Sequence, residues 1–162
     1  MNEKIGVIGA GPAGIIAAGI AGSRGKDVTL IEKNERIGKK LFITGKGRCN
    51  ITNNAPIEEF FDNVMKNKNF LYSSFYSFNN RDIINLLEGY GVKTKVERGN
   101  RVFPASDKSS DVIKALENFL VKNNVKILLN SQVDYIYMKD NKFVVVIGKD
   151  EIQFDKIIIS TG

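Results

Sequence analysis

The sequence predicts an α/β fold built on a parallel sheet, with a three-stranded antiparallel meander and a helical insertion. Three observations support this fold class. A strand, a glycine turn, a helix and a second strand fill the first 32 residues. Helical and strand-like patterns then alternate, and three short strand patterns follow one another near the carboxyl end. The 162 residues, 43% of them hydrophobic, are the size of one ordinary domain, so we expect a single domain over 1–162.

The chain opens with a strand–helix–strand unit. An apolar run predicts a strand over 3–8, small apolar residues predict a helix over 12–24, and a second strand follows over 27–32. The helical crossover implies that the two strands lie parallel. The turn before the helix has G-x-G-x-x-G spacing, and the second strand ends on an acid. This setting is the one in which the glycine pattern indicates dinucleotide binding.

Each residue of the turn has a predicted role in holding a dinucleotide. Gly9 permits a sharp change of direction, Gly11 leaves room for a pyrophosphate near the backbone, and Gly14 lets helix and strand pack closely. The helix begins with Pro12 and Ala13, and a missing N–H at its first position does no harm. The free N–H groups and the positive end of the helix dipole would then face the bound anion.

Glu32 stands at the end of the second strand, and Lys33 follows it. A carboxylate there accepts hydrogen bonds from ribose hydroxyls and repels a 2′-phosphate, which favours FAD or NAD over NADP. The alternative is a tight turn packed against a helix, with no ligand. The agreement of strand, helix, acid and position favours dinucleotide binding, but the motif alone does not separate FAD from NAD.

The remaining elements are predicted from periodicity and turn residues. A long connection over 33–56 is rich in Gly, Lys, Thr and Asn, and a connection of that length is usually functional or disordered. The predicted elements after it are helices over 57–67 and 69–78, a helix capped by Asn80, a hairpin over 92–97 and 101–103, a helix from Ser109 or Ser110 to about Asn123, strands over 125–129, 133–138, 142–147 and 151–154, and a last, buried strand over 156–160.

Composition excludes several classes of protein. Lys and Arg are spread along the chain despite the net charge of +6, which argues against a dedicated nucleic-acid module. A lone cysteine allows no internal disulfide, which fits a reducing, cytoplasmic location, and no signal peptide or membrane-spanning run is expected. Without histidine, proton transfer depends on other groups, and a zinc site of the usual kind is not expected.

A second motif, KKLFITGKGRCNITN, occupies residues 39–53. Gly45 and Gly47 remove side chains from a loop that carries several cations. Such a loop can lay backbone N–H groups along a phosphate or a flat ring, and Arg48 can bind a phosphate as a fork. The alternative is a solvated basic loop, which composition alone would favour.

This motif, with GNRVFPAS at 99–106 and STG at 160–162, resembles bacterial NAD(P)/FAD-dependent oxidoreductases, the aminoacetone-oxidase-like or BaiN-like flavoproteins. The resemblance covers essentially the whole chain. The family pattern after the acidic strand end reads G-x-K-L-x-x-[ST]-G-x-G-R-C-N-x-T-N. The matching residues are Gly38, Lys40, Leu41, Thr44, Gly45, Gly47, Arg48, Cys49, Asn50, Thr52 and Asn53.

The resemblance implies a Rossmann-like FAD-binding domain of the glutathione-reductase type, with FAD tightly bound. The glycine turn would then meet the pyrophosphate, Glu32 the adenosine ribose, and the loop from Thr44 to Thr52 the ribityl chain and flavin. Val133 matches a position that bonds adenine through its backbone, and the turn at Thr161 and Gly162 matches one that approaches the cofactor. Family members are longer, so we expect this chain to be the N-terminal part, without the substrate domain and the C-terminal return.

Four other features have open interpretations. Cys49 is expected to be a buried packing residue, with redox modulation of a flavin as the alternative. Arg101 is equally consistent with a substrate or flavin contact and with a hairpin edge. The aromatic run over 70–78 is expected in the core of the insertion, or else as the roof of a pocket. Lys33, Lys39 and Lys46 lie near phosphate or in solvent, and Lys40 is the lysine we expect at the cofactor.

The predicted function is the FAD-binding part of an oxidoreductase in which hydride passes from a reduced nicotinamide or a substrate, through the flavin, to an acceptor. NAD(P)H is the expected electron donor, and a small molecule the expected substrate, with no specific nucleic acid and no membrane. No residue is a convincing general base, so the catalytic residues are unassigned. The alternatives are a non-catalytic dinucleotide-binding module and, suggested by the basic charge, an RNA-modifying flavoprotein.

Overall fold

The computed structural model describes residues 2–162. Contacts between Cα atoms divide the chain into two compact units. The first unit contains the residues up to Leu41 together with Leu116–Gly162, and the second unit contains Phe42–Ala115. Within residues 2–162, no helix is both long enough and apolar enough to cross a membrane.

The first unit contains the parallel sheet and the meander. Its strands and helices are β1 (Lys4–Ile8), α1 (Pro12–Ser23), β2 (Asp27–Ile31), the start of α2 (Lys39–Ile43), the end of α6 (Ser109–Lys122), β6 (Lys126–Leu128), β7 (Tyr135–Lys139), β8 (Lys142–Ile147), β9 (Asp150–Phe154) and β10 (Lys156–Ile159).

Four strands of the first unit form the parallel sheet, in the order β10-β1-β2-β6. Helix α1 packs against β1 and β2, and it contacts α6 so closely that a Cβ on Gly19 would overlap the ring of Phe119. The antiparallel meander β7-β8-β9 also packs against the sheet. Its residues Val145 and Phe154 share a buried core with Ile8 of β1. A Cβ on Gly6 of β1 would lie 2.9 Å from the ring of Phe154. Glycine at that position therefore permits the close approach of the meander to the sheet.

The last strand differs from its prediction. The apolar sequence of β10 predicted a buried strand, but Ile158 is 38% exposed and Ile159 is 65% exposed. Among the strands of residues 2–162, β10 lies at the edge of the sheet and pairs only with β1. Continuous apolar runs indicate burial for central parallel strands, which are covered on both faces. β10 is equally apolar, but it is an edge strand. Within the described chain, neighbouring elements cover only part of its surface.

The second unit contains the insertion. It has β3 (Thr52–Asn53), α3 (Ile57–Asp62), α4 (Lys68–Ser77), α5 (Asn80–Gly89), β4 (Thr94–Glu97) and β5 (Arg101–Pro104), and β5 pairs antiparallel with both β3 and β4. The long connection predicted over 33–56 is partly ordered, because α2 and a 3₁₀ turn over Thr44–Gly47 occupy it.

The cap of α5 lies one residue earlier than predicted. The side chain of Asn79, not Asn80, accepts from the backbone N–H groups of Arg81 and Asp82. The carboxylate of Asp82 accepts from the Asn79 N–H at 2.7 Å and completes a capping box. Asn80 instead donates its amide to the carbonyl of Asn53 at 2.7 Å.

The aromatic run over 70–78 forms a surface cluster and not the predicted core. Tyr72, Phe75 and Tyr76 pack around Phe61, with ring centroids 5.2–6.0 Å from its own. Tyr72 is 57% exposed, and Phe70 at the start of the run is 83% exposed. Helix α4 is amphipathic only weakly, so its sequence did not distinguish a buried face from a surface cluster.

Candidate dinucleotide-binding site

The glycine turn joins β1 to α1, and packing explains two of its three glycines. Gly9 has a φ of +100°, and a Cβ there would lie 2.6 Å from the carbonyl oxygen of Ser160. A Cβ on Gly14 would overlap the carbonyl oxygen of Gly9 and lie 2.5 Å from Ser160 Oγ. These two glycines let β1, α1 and the end of β10 meet closely.

Gly11 has no such explanation within the protein. Its φ of −73° suits any residue, and no atom lies within 4 Å of the position that its Cβ would occupy. It is the N-cap of α1, and no side chain caps that helix. The first N–H groups of a helix have no intrahelical partner. The turn therefore presents open space in front of a helix N-terminus, and such termini favour anions.

Glu32 is 8% exposed, and its carboxylate links the glycine turn to the loop after β2. Oε2 accepts the backbone N–H of Ala10 at 2.8 Å. Oε1 accepts the backbone N–H and the side-chain amide of Asn34, at 2.9 and 2.5 Å. A carboxylate has about four lone-pair sites. Three donors leave one of them for a ligand hydroxyl, so the side chain can bind ribose while it holds the turn.

A cavity of about 510 Å³ opens at this end of the sheet, entirely within the first unit. Volumes of several hundred Å³ are usual for small-molecule sites. Ten of the predicted site residues line it, together with residues at the strand ends of the sheet. The predicted site residues among its lining are Gly9, Gly11, Pro12, Ala13, Glu32, Lys33, Lys40, Val133, Thr161 and Gly162.

Three predicted residues of the first unit do not line the cavity. Gly14 acts through packing, as described above. Gly38, with a φ of +63°, donates its N–H to the carbonyl of Ala10 at 2.8 Å, so it holds the loop after β2 against the glycine turn. Leu41 lies in α2, one residue after Lys40 of the cavity wall.

Val133 enters the cavity wall from the segment before β7. The neighbouring Ser131 donates its N–H to the carbonyl of Glu32 at 2.9 Å, which ties this segment to the end of β2. Within residues 2–162, the peptide N–H and carbonyl of Val133 have no hydrogen-bond partner. Both groups are therefore available to a base at the cavity wall.

Sequence reasoning missed Ser160 as a member of the site. Its N–H donates to the carbonyl of Ile8 at 2.8 Å, and its Oγ lies 2.9 Å from the carbonyls of both Ile8 and Gly9. The hydroxyl thus holds the end of β10 against the glycine turn. Its place before Thr161 and Gly162 at a strand end was the available signal. Asn34, Ser131 and Gln132 also line the cavity and were not predicted as site residues, and Lys39, which the sequence left open between phosphate and solvent, lines it too.

The second motif lies in the second unit from Phe42 onward. Thr44, Gly45 and Gly47 form the 3₁₀ turn, and four residues over 45–49 have positive φ. Arg48 has partners inside the unit: it bonds Glu97 at 2.9 Å and Asp107 at 3.3 Å, and its guanidinium lies 4.2 Å above the ring of Phe103. These contacts hold the loop against the β4–β5 hairpin. Phosphate binding by Arg48 remains a prediction, as do cofactor contacts of Asn50 and Thr52.

Cys49 is fully buried, and its burial raises the pKa of the thiol. It behaves as the predicted packing residue, because a buried neutral thiol is a poor nucleophile. Arg101 lies on the exposed side of β5, where its Nε donates to the carbonyl of Arg98 at 3.1 Å. β5 is the middle strand of its sheet, so Arg101 is an exposed residue on a central strand and not at a hairpin edge, and a substrate or flavin contact stays a prediction.

The chain is similar to several known proteins. It is 32% identical over 171 residues to the 3-dehydro-bile acid delta(4,6)-reductase of Clostridium scindens, a match that covers 99% of this chain and 39% of the relative. It is 28% identical over 165 residues to the ribosomal RNA dihydrouridine synthase of Haemophilus influenzae, covering 99% and 40%. The chain thus spans about two fifths of the length of these curated relatives.

Two solved structures show the same fold. Thermovibrio ammonificans THI4 superposes with a TM-score of 0.64 at 11% identity, over 99% of this chain and 58% of that one. L-proline dehydrogenase from P. horikoshii superposes with a TM-score of 0.58 at 18% identity, over 99% and 53%. These likenesses confirm the Rossmann-like α/β fold with its parallel sheet and meander.

The family comparison agrees with the motifs of the sequence. The model of the HI0933-like protein Rossmann domain matches residues 3–162, which is nearly the whole chain. It confirms the resemblance to BaiN-like flavoproteins and supports FAD as the cofactor. The chain belongs to the HI0933-like Rossmann domain family.

Proposed function

We propose that the first unit holds the ADP part of FAD and that the chain is the FAD-binding part of a flavin-dependent oxidoreductase. One observation carries this proposal. Packing accounts for Gly9 and Gly14, whereas the missing side chain of Gly11 serves no contact within the protein. An open backbone at an uncapped helix N-terminus is what a pyrophosphate requires.

The residues that line the cavity supply the other proposed contacts to the ADP part. The pyrophosphate lies along the glycine turn, with Lys40 contributing positive charge. Glu32 accepts a ribose hydroxyl with its remaining lone pair, and it would repel a 2′-phosphate. The unpartnered peptide groups of Val133 bond the adenine edge. This arrangement favours FAD over NADP at the cavity.

When bound, FAD supplies the electron transfer, and the protein supplies binding and orientation. The glycine turn and Glu32 fix the adenosine end of the cofactor. In the proposal, the backbone N–H groups of Thr44, Gly45 and Gly47 face the ribityl chain and flavin, and NAD(P)H is the electron donor. Gly45 and Gly47 have φ values of +57° and +86°, which are conformations that glycine adopts without a steric cost.

The proposed reaction is hydride transfer to a carbon–carbon double bond of a small organic substrate. The names of the two relatives describe this chemistry, since a delta(4,6)-reductase and a dihydrouridine synthase each saturate a ring double bond. A second candidate substrate is ribosomal RNA. It is favoured by the name shared by the Haemophilus influenzae and Escherichia coli relatives and by the net charge of +6.

The test is to identify the ligand that copurifies with the protein expressed from its complete reading frame. Heat-released ligand is measured by mass spectrometry, with the visible absorbance recorded before release. We expect FAD at close to one per chain. A colourless protein that takes up no FAD on reconstitution, or one that carries only NAD, would contradict the proposal.

A second measurement separates an enzyme from a non-catalytic module. Anaerobic mixing of the flavin-loaded protein with NADH or NADPH should bleach the flavin, and an activated alkene should restore its colour. If neither nucleotide reduces the flavin, the non-catalytic interpretation is favoured. Tight binding of ribosomal RNA with a steep salt dependence would favour the RNA candidate over a small molecule.

We also propose that the protein acts in the cytoplasm, where its single thiol stays reduced.

A further inference from the structure

The second unit contains a cavity of its own, separate in sequence from the nucleotide cavity. It has a volume of about 380 Å³ and lies between the end of β3, helix α3 and the β4–β5 turn. Its wall includes Asn53, Glu59, Phe60, Asn63 and Asn100. The volume is at the small end of the usual range for ligand sites, so it suits a compact ligand such as a nucleoside.

The wall of this cavity has a distinctive chemistry. It combines three amides and a carboxylate with one aromatic ring, and no lysine or arginine belongs to it. The chain as a whole carries 24 Lys and Arg residues. A wall without cations disfavours phosphate and other anions, and a carboxylate favours a ligand that donates hydrogen bonds.

One side of the cavity is held rigidly by hydrogen bonds. The amide of Asn53 donates to the carbonyl of Gly99 at 2.9 Å and accepts the N–H of Ala55 at 2.8 Å. The N–H of Asn54 donates to the carbonyl of Asn100 at 2.7 Å. These bonds fix the β4–β5 turn against the end of β3, so the wall is formed before any ligand arrives.

The other polar groups of the wall have spare capacity. Glu59 and Asn100 are exposed, and within residues 2–162 the carboxylate of Glu59 and the side-chain amide of Asn100 have no hydrogen-bond or ion-pair partner, so solvent reaches both groups. Asn63 donates its amide to the carbonyl of Glu59 at 2.8 Å, which leaves its Oδ1 free to accept. Phe60 meets Phe75 edge to face, with centroids 6.0 Å apart, and this contact orients its ring.

We propose that this cavity binds a guanine base. Guanine carries two adjacent N–H donors, at N1 and N2, which match the two oxygens of the Glu59 carboxylate. Its O6 and N7 accept hydrogen bonds, which the amide of Asn100 donates. Phe60 supplies the aromatic contact that unpaired bases use in proteins. The inference rests on the second unit alone and not on FAD.

The experiment measures nucleoside binding by isothermal titration to the protein from its complete reading frame, in the presence of excess FAD. The excess keeps the first cavity out of the measurement, and uncharged nucleosides remove the phosphate contribution. We expect guanosine to bind at least about tenfold more tightly than adenosine or uridine, because each lacks the paired donors.

The variant Glu59→Gln tests the assigned carboxylate, and Glu117→Gln on α6 is the matched control. Glu59→Gln should weaken guanosine binding at least about tenfold, while Glu117→Gln should leave it unchanged. Both variants should keep the wild-type melting temperature and flavin content, so a failed guanine site is distinguishable from failed FAD binding.

Three results would overturn the proposal: no guanosine binding, equal binding of guanosine and adenosine, or binding that survives Glu59→Gln. Equal binding of free ribose would overturn it as well, because a sugar site would then explain the cavity.

Discussion

Replacing Gly11 by alanine tests whether this glycine is required for ligand binding or for the stability of the fold. Gly11→Ala places a methyl group in the cavity of the first unit, where no atom of residues 2–162 lies within 4 Å. The φ of −73° is ordinary for alanine. Alanine is a poorer N-cap than glycine, but it also lowers the entropy of the unfolded chain. These effects oppose each other, so the free energy of unfolding should change by less than about 1 kcal/mol.

The same methyl group stands where the pyrophosphate must approach the backbone. Overpacking of a close contact by one methyl costs about 1–3 kcal/mol. Since 1.4 kcal/mol is a factor of ten, the Kd for FAD should rise roughly 5- to 150-fold. The assay is a titration of flavin-free protein with FAD, followed by quenching of flavin fluorescence, beside urea unfolding of both proteins without FAD.

Two matched variants complete the test. Gly89→Ala adds a methyl group at the end of α5, also with nothing within 4 Å, and should leave FAD binding unchanged while it stabilises the fold by no more than about 1 kcal/mol. Gly14→Ala should destabilise the protein by about 3 kcal/mol or more, because its Cβ would overlap the carbonyl of Gly9. The reasoning is refuted if folded Gly11→Ala binds FAD as tightly as the wild type, or if Gly11→Ala is as unstable as Gly14→Ala.

Three further variants probe other parts of the molecule. Glu32→Ala should lower flavin retention and cost about 1–3 kcal/mol, because the buried N–H of Ala10 loses its acceptor; unchanged flavin stoichiometry would count against the site. The hydrogen bond from Lys95 lowers the pKa of Asp107 below its ordinary 3.8, so its contribution to stability is present above that value and lost as the pH falls through the folded-state pKa. Asp107→Asn should therefore show a smaller drop in urea midpoint between about pH 6 and about pH 3 than the wild type, and an equal drop would contradict this assignment. Burial raises the pKa of Cys49, so native protein should react with iodoacetamide far more slowly than urea-unfolded protein, and similar rates would show an accessible thiol.

Much of the fold was predictable because its signals are local. The alternation of apolar and polar residues predicted β7, β8 and β9 as a meander, and the turns between them carry Asn and Gly. The glycine spacing predicted the β1–α1 turn, because its three glycines lie in one short segment, over 9–14, between a strand pattern and a helix pattern. The predicted N-cap of α5 was wrong by one residue. Asn79 and Asn80 are both good N-cap residues, and only the backbone geometry distinguishes them.

Other features depend on residues that are distant in sequence. Ser160 contacts Gly9 across 151 residues, and that contact exists only because β10 pairs with β1. The exposure of Ile159 follows from the edge position of β10, which composition does not report. The carboxylate partners of Arg48 likewise come from positions 49 and 59 residues away.

The sequence by itself determined the α/β class, the glycine turn and the acid that follows it, since these depend on backbone conformation and short-range spacing. Tertiary structure decided which glycines are explained by packing, because the end of β10 fills the space beside Gly9, the Gly9 carbonyl and Ser160 fill the space beside Gly14, and the space beside Gly11 stays open. Tertiary structure also decided that Glu32 both lines the cavity and holds the glycine turn. The Ala10 N–H reaches the Glu32 carboxylate only because β1 and β2 lie side by side.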